Sequence, residues 1–282
     1  MDVVVLVLIT FAASIVNGAL GYGFSSITVP VALLFYTNRI LNPALVLVEL
    51  VINAYVLFIN RKSIPNILWR VAPILGGLAV GVGIGSYLLF LVEPAWIKFV
   101  TYFFLLPLIL LQAAGIRKPI RAERAIAVPF GVGLGTLYSV TTISGPPLAL
   151  LFNNQGYPKQ DFRAALGIIR LAESSLTAVA YGFIGFYSAG SMEIIPYIVP
   201  SVMIGIPLGT FLIRLMDPET FRRICMAFDG LIVGFGLSRV LGELNLASPI
   251  TTYMILAIVI LINGYLLFRF FRDRASLHQV PP

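Results

Sequence analysis

The sequence predicts an all-α polytopic membrane protein. It reads as two inverted repeats, each a broken re-entrant opening plus three transmembrane helices, with one extra C-terminal helix. Three observations predict this. First, hydrophobic residues make up 59% of the 282 residues and charged residues only 11%, whereas a soluble domain carries about a quarter charged residues. Second, the stretches 71–92, 194–213 and 246–268 each run for at least 20 residues without a charge, long enough to cross a hydrocarbon core of about 30 Å. Third, a segment rich in Gly, Ser, Thr and Pro occurs twice, from Gly18 to Pro30 and from Gly135 to Pro147, at an offset of 117. A soluble chain of this length could not hide so many apolar segments in one core.

The elements follow in order. Seven spans are expected at about 42–60, 66–91, 95–114, 162–185, 194–213, 221–241 and 247–269. The openings 2–36 and 125–153 are too long for one straight helix and too short for two with a loop. Each is read as two helical segments that meet near the middle at non-helical backbone and return to the same side; the alternative is that each crosses twice, which leaves the halves inverted. Such backbone is tolerated at depth only where it is buried or lines a cavity. The chain forms a single transmembrane domain, with repeat one at about 1–116, repeat two at about 124–243 and the extra helix at about 247–271. Gly81 and Gly85 align with Gly205 and Gly209 at an offset of 124. Small residues four apart let helices approach closely, so these glycines read as packing. Trp69 and Trp96 read as interface anchors.

Charge placement sets the orientation. With the N-terminus outside, 15 of the 19 basic residues fall at cytoplasmic ends, among them Arg61, Lys62, Arg70, Arg117, Lys118, Arg121, Lys159, Arg163, Arg214 and Arg269. Arg39, Lys98 and Arg239 fall outside, and Arg170 lies within a span. This is the positive-inside pattern of a cytoplasmic (inner) membrane protein whose C-terminus is inside. The net charge of +7 is therefore spent on orientation and indicates no nucleic-acid partner. An odd number of spans per half makes the halves antiparallel, and inverted repeats place substrate near the midplane between broken helices.

The breaks are the first candidate site: Gly21, Gly23, Ser25 and Ser26 in one copy, and Thr141, Thr142, Ser144 and Gly145 in the other. Glycine lets backbone approach a ligand. Pro30 and Pro147 are expected just inside the second segments, with Ser26, Thr28 and Ser144 bonding free amides at the helix starts. A helix N-terminus favours an anion, so two such ends could bind a small anionic substrate. The plain alternative is close packing with a proline kink. Arg170 is a second substrate-binding candidate, since an arginine in mid-span faces the bundle interior or a cavity. Glu173 sits three residues on, within pairing distance on one helix face. Glu49, Glu173 and Asp229 are the candidates for proton coupling, because buried carboxylates can take up protons. A purely structural pairing of each is the competing reading, and Asp229 is a further candidate partner for Arg170. Asn53 and Thr177 stand four residues after Glu49 and Glu173.

The Gly-rich opening that ends in Pro, its second copy, the Arg163-Ala164 pair near the start of the next span and the overall size resemble the sulfite exporter TauE/SafE family of membrane transporters. The resemblance runs to about residue 240. It implies movement of sulfite, sulfonates and related small anions, mostly outward. The family's openings carry denser glycine runs. Here Tyr22, Ser25, Ser26, Tyr138, Thr141, Thr142 and Ser144 occupy part of that region.

Other functions fit less well. An intramembrane serine protease needs a base beside its serine, but the one histidine, His278, lies in the polar tail. Thiol exchange needs two cysteines, and Cys225 is alone. No catalytic residue, metal site or cofactor is expected. The remaining alternative is a membrane structural or assembly protein without transport activity. Voltage adds a direction: an anion leaving an inside-negative cell gains about 2.3 kcal/mol per charge per 100 mV.

Overall fold

The structure is a computed structural model, described here for residues 2–114, 123–155, 157, 159–212, 215 and 218–277. Arg117, Lys118, Arg121, Arg214 and His278 lie outside the described residues.

Eleven α-helices account for the described chain: α1 (Asp2–Leu20), α2 (Phe24–Ala32), α3 (Asn38–Ile59), α4 (Ile64–Leu91), α5 (Pro94–Ala114), α6 (Glu123–Thr141), α7 (Gly145–Asn154), α8 (Lys159–Ile184), α9 (Ala189–Leu212), α10 (Pro218–Glu243) and α11 (Pro249–Leu277). The protein is an all-α polytopic membrane protein. Six helices (α1, α3, α4, α8, α9 and α11) are long and apolar enough to cross a bilayer. α5 and α6 carry shorter apolar stretches, Ala95–Leu111 and Ala125–Thr141. Serines cap two helices, and α9 starts five residues before its expected span. Ser188 Oγ accepts the Ser191 N–H at 3.2 Å before α9, and Ser248 Oγ accepts the Thr251 N–H at 3.3 Å before α11.

The openings are less symmetric about their breaks than expected. Each is one long helix followed by a short one: 19 then 9 residues in the first, 19 then 10 in the second. At about 1.5 Å per residue, α1 reaches about 28 Å and α2 only about 13 Å. α1 alone is long enough to cross, while α2 is not.

Packing relates the two halves. α1 runs parallel to α9: Ser201 Oγ donates to Val7 O at 3.2 Å, and Thr210 Oγ1 donates to Gly18 O at 3.2 Å. α6 runs parallel to α4 in the same way, with Gly77 against Val128 and Gly85 against Thr136. Helices that would correspond to each other run antiparallel. In α3 and α8, Leu57 packs on Gly167 and Asn53 bonds Ser174. In α5 and α10, Tyr102 packs on Gly236 and Arg223 donates to Ala113 O. A Cβ at Gly81 or Gly205 would run into atoms of α6 or α1, so these glycines serve helix contact.

The register between the halves differs from the sequence alignment by one helical turn. α1 and α6 end 121 residues apart, and α2 and α7 start 121 residues apart, not 117. Contacts repeat at the same offset. Arg163 Nη2 donates to Ala19 O at 2.9 Å, and Asn42 Nδ2 donates to Val140 O at 2.6 Å. Four residues are nearly one turn of helix, so a four-residue slip leaves the apolar face almost unchanged. The two prolines that anchored the alignment do not correspond. Pro30 is the seventh residue of α2 and Pro147 the third of α7.

Candidate functional site

The first break is made by glycine. Gly21 (φ 85°) and Gly23 (φ 107°) hold left-handed backbone, which L side chains resist. They end α1 and start α2. Gly23 is the N-cap of α2 and has no side chain to offer. The N–H groups of Phe24, Ser25 and Ser26 therefore precede the first intrahelical bond, Ile27 N to Gly23 O at 3.2 Å. The expected capping by Ser26 or Thr28 does not form, and Thr28 Oγ1 is buried without a partner.

The second break turns on Thr142 (φ 58°), which stands 121 residues after Gly21. A β-branched residue there is strained. Thr141 Oγ1 supports the turn by accepting the Ile143 N–H at 3.1 Å. Ser144 precedes α7 but cannot cap it. A cap bonds the second or third helical N–H, and those positions are Pro146 and Pro147. Ser144 Oγ instead donates to Glu173 Oε2 at 2.5 Å. The breaks meet each other: a methyl group at Gly145 would lie 3.2 Å from the Tyr22 ring and 3.6 Å from the Gly23 nitrogen.

Beside them α3 and α8 bring the charges together. Arg170 is 2% exposed, and Glu49 and Glu173 are fully buried. Arg170 does not pair with Glu173. Its Nη2 donates to Glu49 Oε1 at 2.6 Å, a bond that joins α8 to α3. The antiparallel crossing of these helices turns the two side chains toward each other. Asp229 belongs to α10, and its side chain lies outside the described residues.

The Glu49 carboxylate takes three donors from three helices. Besides Arg170, Ser25 Oγ of α2 donates to Oε1 at 2.5 Å, and Tyr138 OH of α6 donates to Oε2 at 2.8 Å. Arg170 Nη1 also reaches Asn17 Oδ1 at 3.4 Å. Asn53 Nδ2 donates to Arg170 O at 3.3 Å and to Ser174 Oγ at 3.0 Å. Tyr138 stands 121 residues after Asn17, as Arg170 does after Glu49, so these contacts too are counterparts. Arg170 Nε, Glu173 Oε1, Asn17 Nδ2 and Thr177 Oγ1 are among the described buried polar atoms that have no hydrogen-bond partner.

Sequence reasoning missed Asn17 and Ser174 and noted Tyr138 only as a departure from a family pattern. A polar residue in an otherwise apolar helix was the available signal for Asn17. No group of three or more His, Cys, Asp or Glu able to hold a metal occurs among the described residues. Chemically, the arrangement offers a small oxyanion a guanidinium, hydroxyl donors and the backbone N–H groups at the start of α2, in a buried setting.

No curated protein and no solved structure matches the chain. A family model, Sulfite exporter TauE/SafE, matches residues 6–237. That match takes in both breaks, the Arg170–Glu49 pair and Glu173. The chain therefore belongs to the sulfite exporter TauE/SafE family, membrane transporters of sulfite and related sulfur anions rather than enzymes.

Proposed function

We propose that this protein is a secondary transporter that exports a small sulfur oxyanion, sulfite or a sulfonate, across the cytoplasmic membrane by alternating access. One observation carries the reading: both breaks converge beside a buried arginine shared between the halves. Binding at that junction could be exposed to either side by rocking one half against the other. Two inverted repeats, 1–116 and 124–243, underlie the motion in this reading. The antiparallel crossing of α3 with α8 and of α5 with α10 supports it. The substrate residues are Gly21, Gly23, Ser25, Ser26, Thr141, Thr142, Ser144, Gly145 and Arg170. Glu49, Glu173 and Asp229 are the coupling candidates.

The test is efflux from reconstituted vesicles loaded with sulfite, small sulfonates or carboxylates. Sulfite or a sulfonate should leave faster than from protein-free vesicles. If no anion in the panel moves or binds, the transport reading fails and an assembly role stands. Orientation is tested by labelling in a protein whose Cys225 is replaced by Ser. A cysteine at the exposed Lys62 should label from the cytoplasm and one at the exposed Ala189 from outside. Labelling of both from one side would overturn the layout.

A further inference from the structure

We infer that Glu49 is a tethered competitor of the transported anion, occupying the donor set that the anion uses. This rests on the transport reading above. The donors around Glu49 are those an oxyanion site needs: a guanidinium N–H from Arg170, a phenol from Tyr138 and a hydroxyl from Ser25, at 2.6, 2.8 and 2.5 Å. They come from α8, α6 and α2, so the set exists only when both halves are packed together. Hydrogen bonds to ionised groups are the stronger class, and here every one is directed at a side chain of the protein itself. A sulfonate or sulfite presents several negatively charged oxygens of the same kind. Entering at Arg170, it meets the Glu49 carboxylate already in place.

The physical consequence is a trade. The anion takes the Arg170, Tyr138 and Ser25 bonds, and Glu49 must release them. A buried carboxylate stripped of its partners is costly, so the anion must outcompete Glu49 for these donors. The charged and titratable groups facing Glu49 are Arg170 and Glu173 from α8 and Tyr138 from α6, with Ser25 from α2 contributing a neutral hydroxyl. Glu173 is held apart from this set by its own bond to Ser144. A rival geometry places the anion on the unpartnered Arg170 Nε edge, with Glu49 left in place. In that case Tyr138 and Ser25 never touch the anion.

The experiment measures methanesulfonate and sulfite binding to the purified full chain by calorimetry. Glu49→Gln should tighten binding by about tenfold or more, because a neutral amide competes less for the guanidinium. Adding Tyr138→Phe to Glu49→Gln should then weaken binding by about tenfold, the loss of one bond to a charged group. An unchanged affinity in the double variant would place the anion elsewhere on Arg170 and overturn the inference. So would weaker binding by Glu49→Gln. Failure of the wild type to bind any anion would instead refute the transport reading itself.

Discussion

The two breaks are built at the same place in the two halves and differ in chemistry. The first, at 21–23, bends through two glycines and leads into a helix whose first three N–H groups are present. The second, at 142–144, bends through a strained threonine and leads into Gly145-Pro146-Pro147, where two of the first three N–H groups do not exist. Ser25 of the first faces a carboxylate that is ion-paired. Ser144 of the second faces a carboxylate with one oxygen unpartnered. Packing symmetry is thus kept while the donors concentrate on one side. Only the first break is rich in donors suited to an anion. In the transport reading proposed above, Arg170, Glu49 and α2 would form the binding side.

The largest expected effect comes from removing the ion pair. Arg170→Ala would make Glu49 an unpaired buried carboxylate, like Glu173, and should cost about 3–5 kcal/mol of stability. Transport should be lost. Arg170→Ala with Glu49→Gln should recover folded protein without recovering flux, and Arg170→Lys should rescue poorly because a point charge lacks the planar fork. Normal efflux by Arg170→Ala in well-folded protein would erase the functional contrast between the breaks.

A smaller effect should follow from Gly23→Ala. The added Cβ meets Val16 Cγ1 at 3.0 Å with φ at 107°, so a loss of about 1–3 kcal/mol is expected. Thermal unfolding in detergent checks it. An unchanged midpoint would show that the first break tolerates a side chain as the second does.

The smallest effect is at Thr142→Gly, the counterpart of Gly21. Relief of left-handed strain should outweigh the extra freedom glycine gives the unfolded chain, for a net gain of up to about 1 kcal/mol. The same thermal measurement decides it. A lower midpoint would mean that the Thr142 side chain, whose Oγ1 donates to Thr141 O at 2.7 Å, contributes more than its backbone costs.

The class of the protein and the positions of its helices were determined by sequence alone, because crossing a bilayer requires a length of apolar chain that is visible residue by residue. The breaks were legible for the same reason: Gly21 and Gly23 in one copy, and Gly145-Pro146-Pro147 in the other, interrupt apolar runs locally. The buried charges were legible as residues but not as partners. Proximity along one helix pointed Arg170 to Glu173, whereas the pairing with Glu49 spans 121 residues and exists only because α3 and α8 cross antiparallel. Tyr138, Asn17 and Ser174 joined the site for that reason too. Capping by Ser144 was excluded by two prolines once the start of α7 was known. Register was the last thing left to tertiary structure. A shift of one helical turn barely changes which face is apolar, so only contacts such as Arg163 to Ala19 and Asn42 to Val140 could set the halves 121 residues apart.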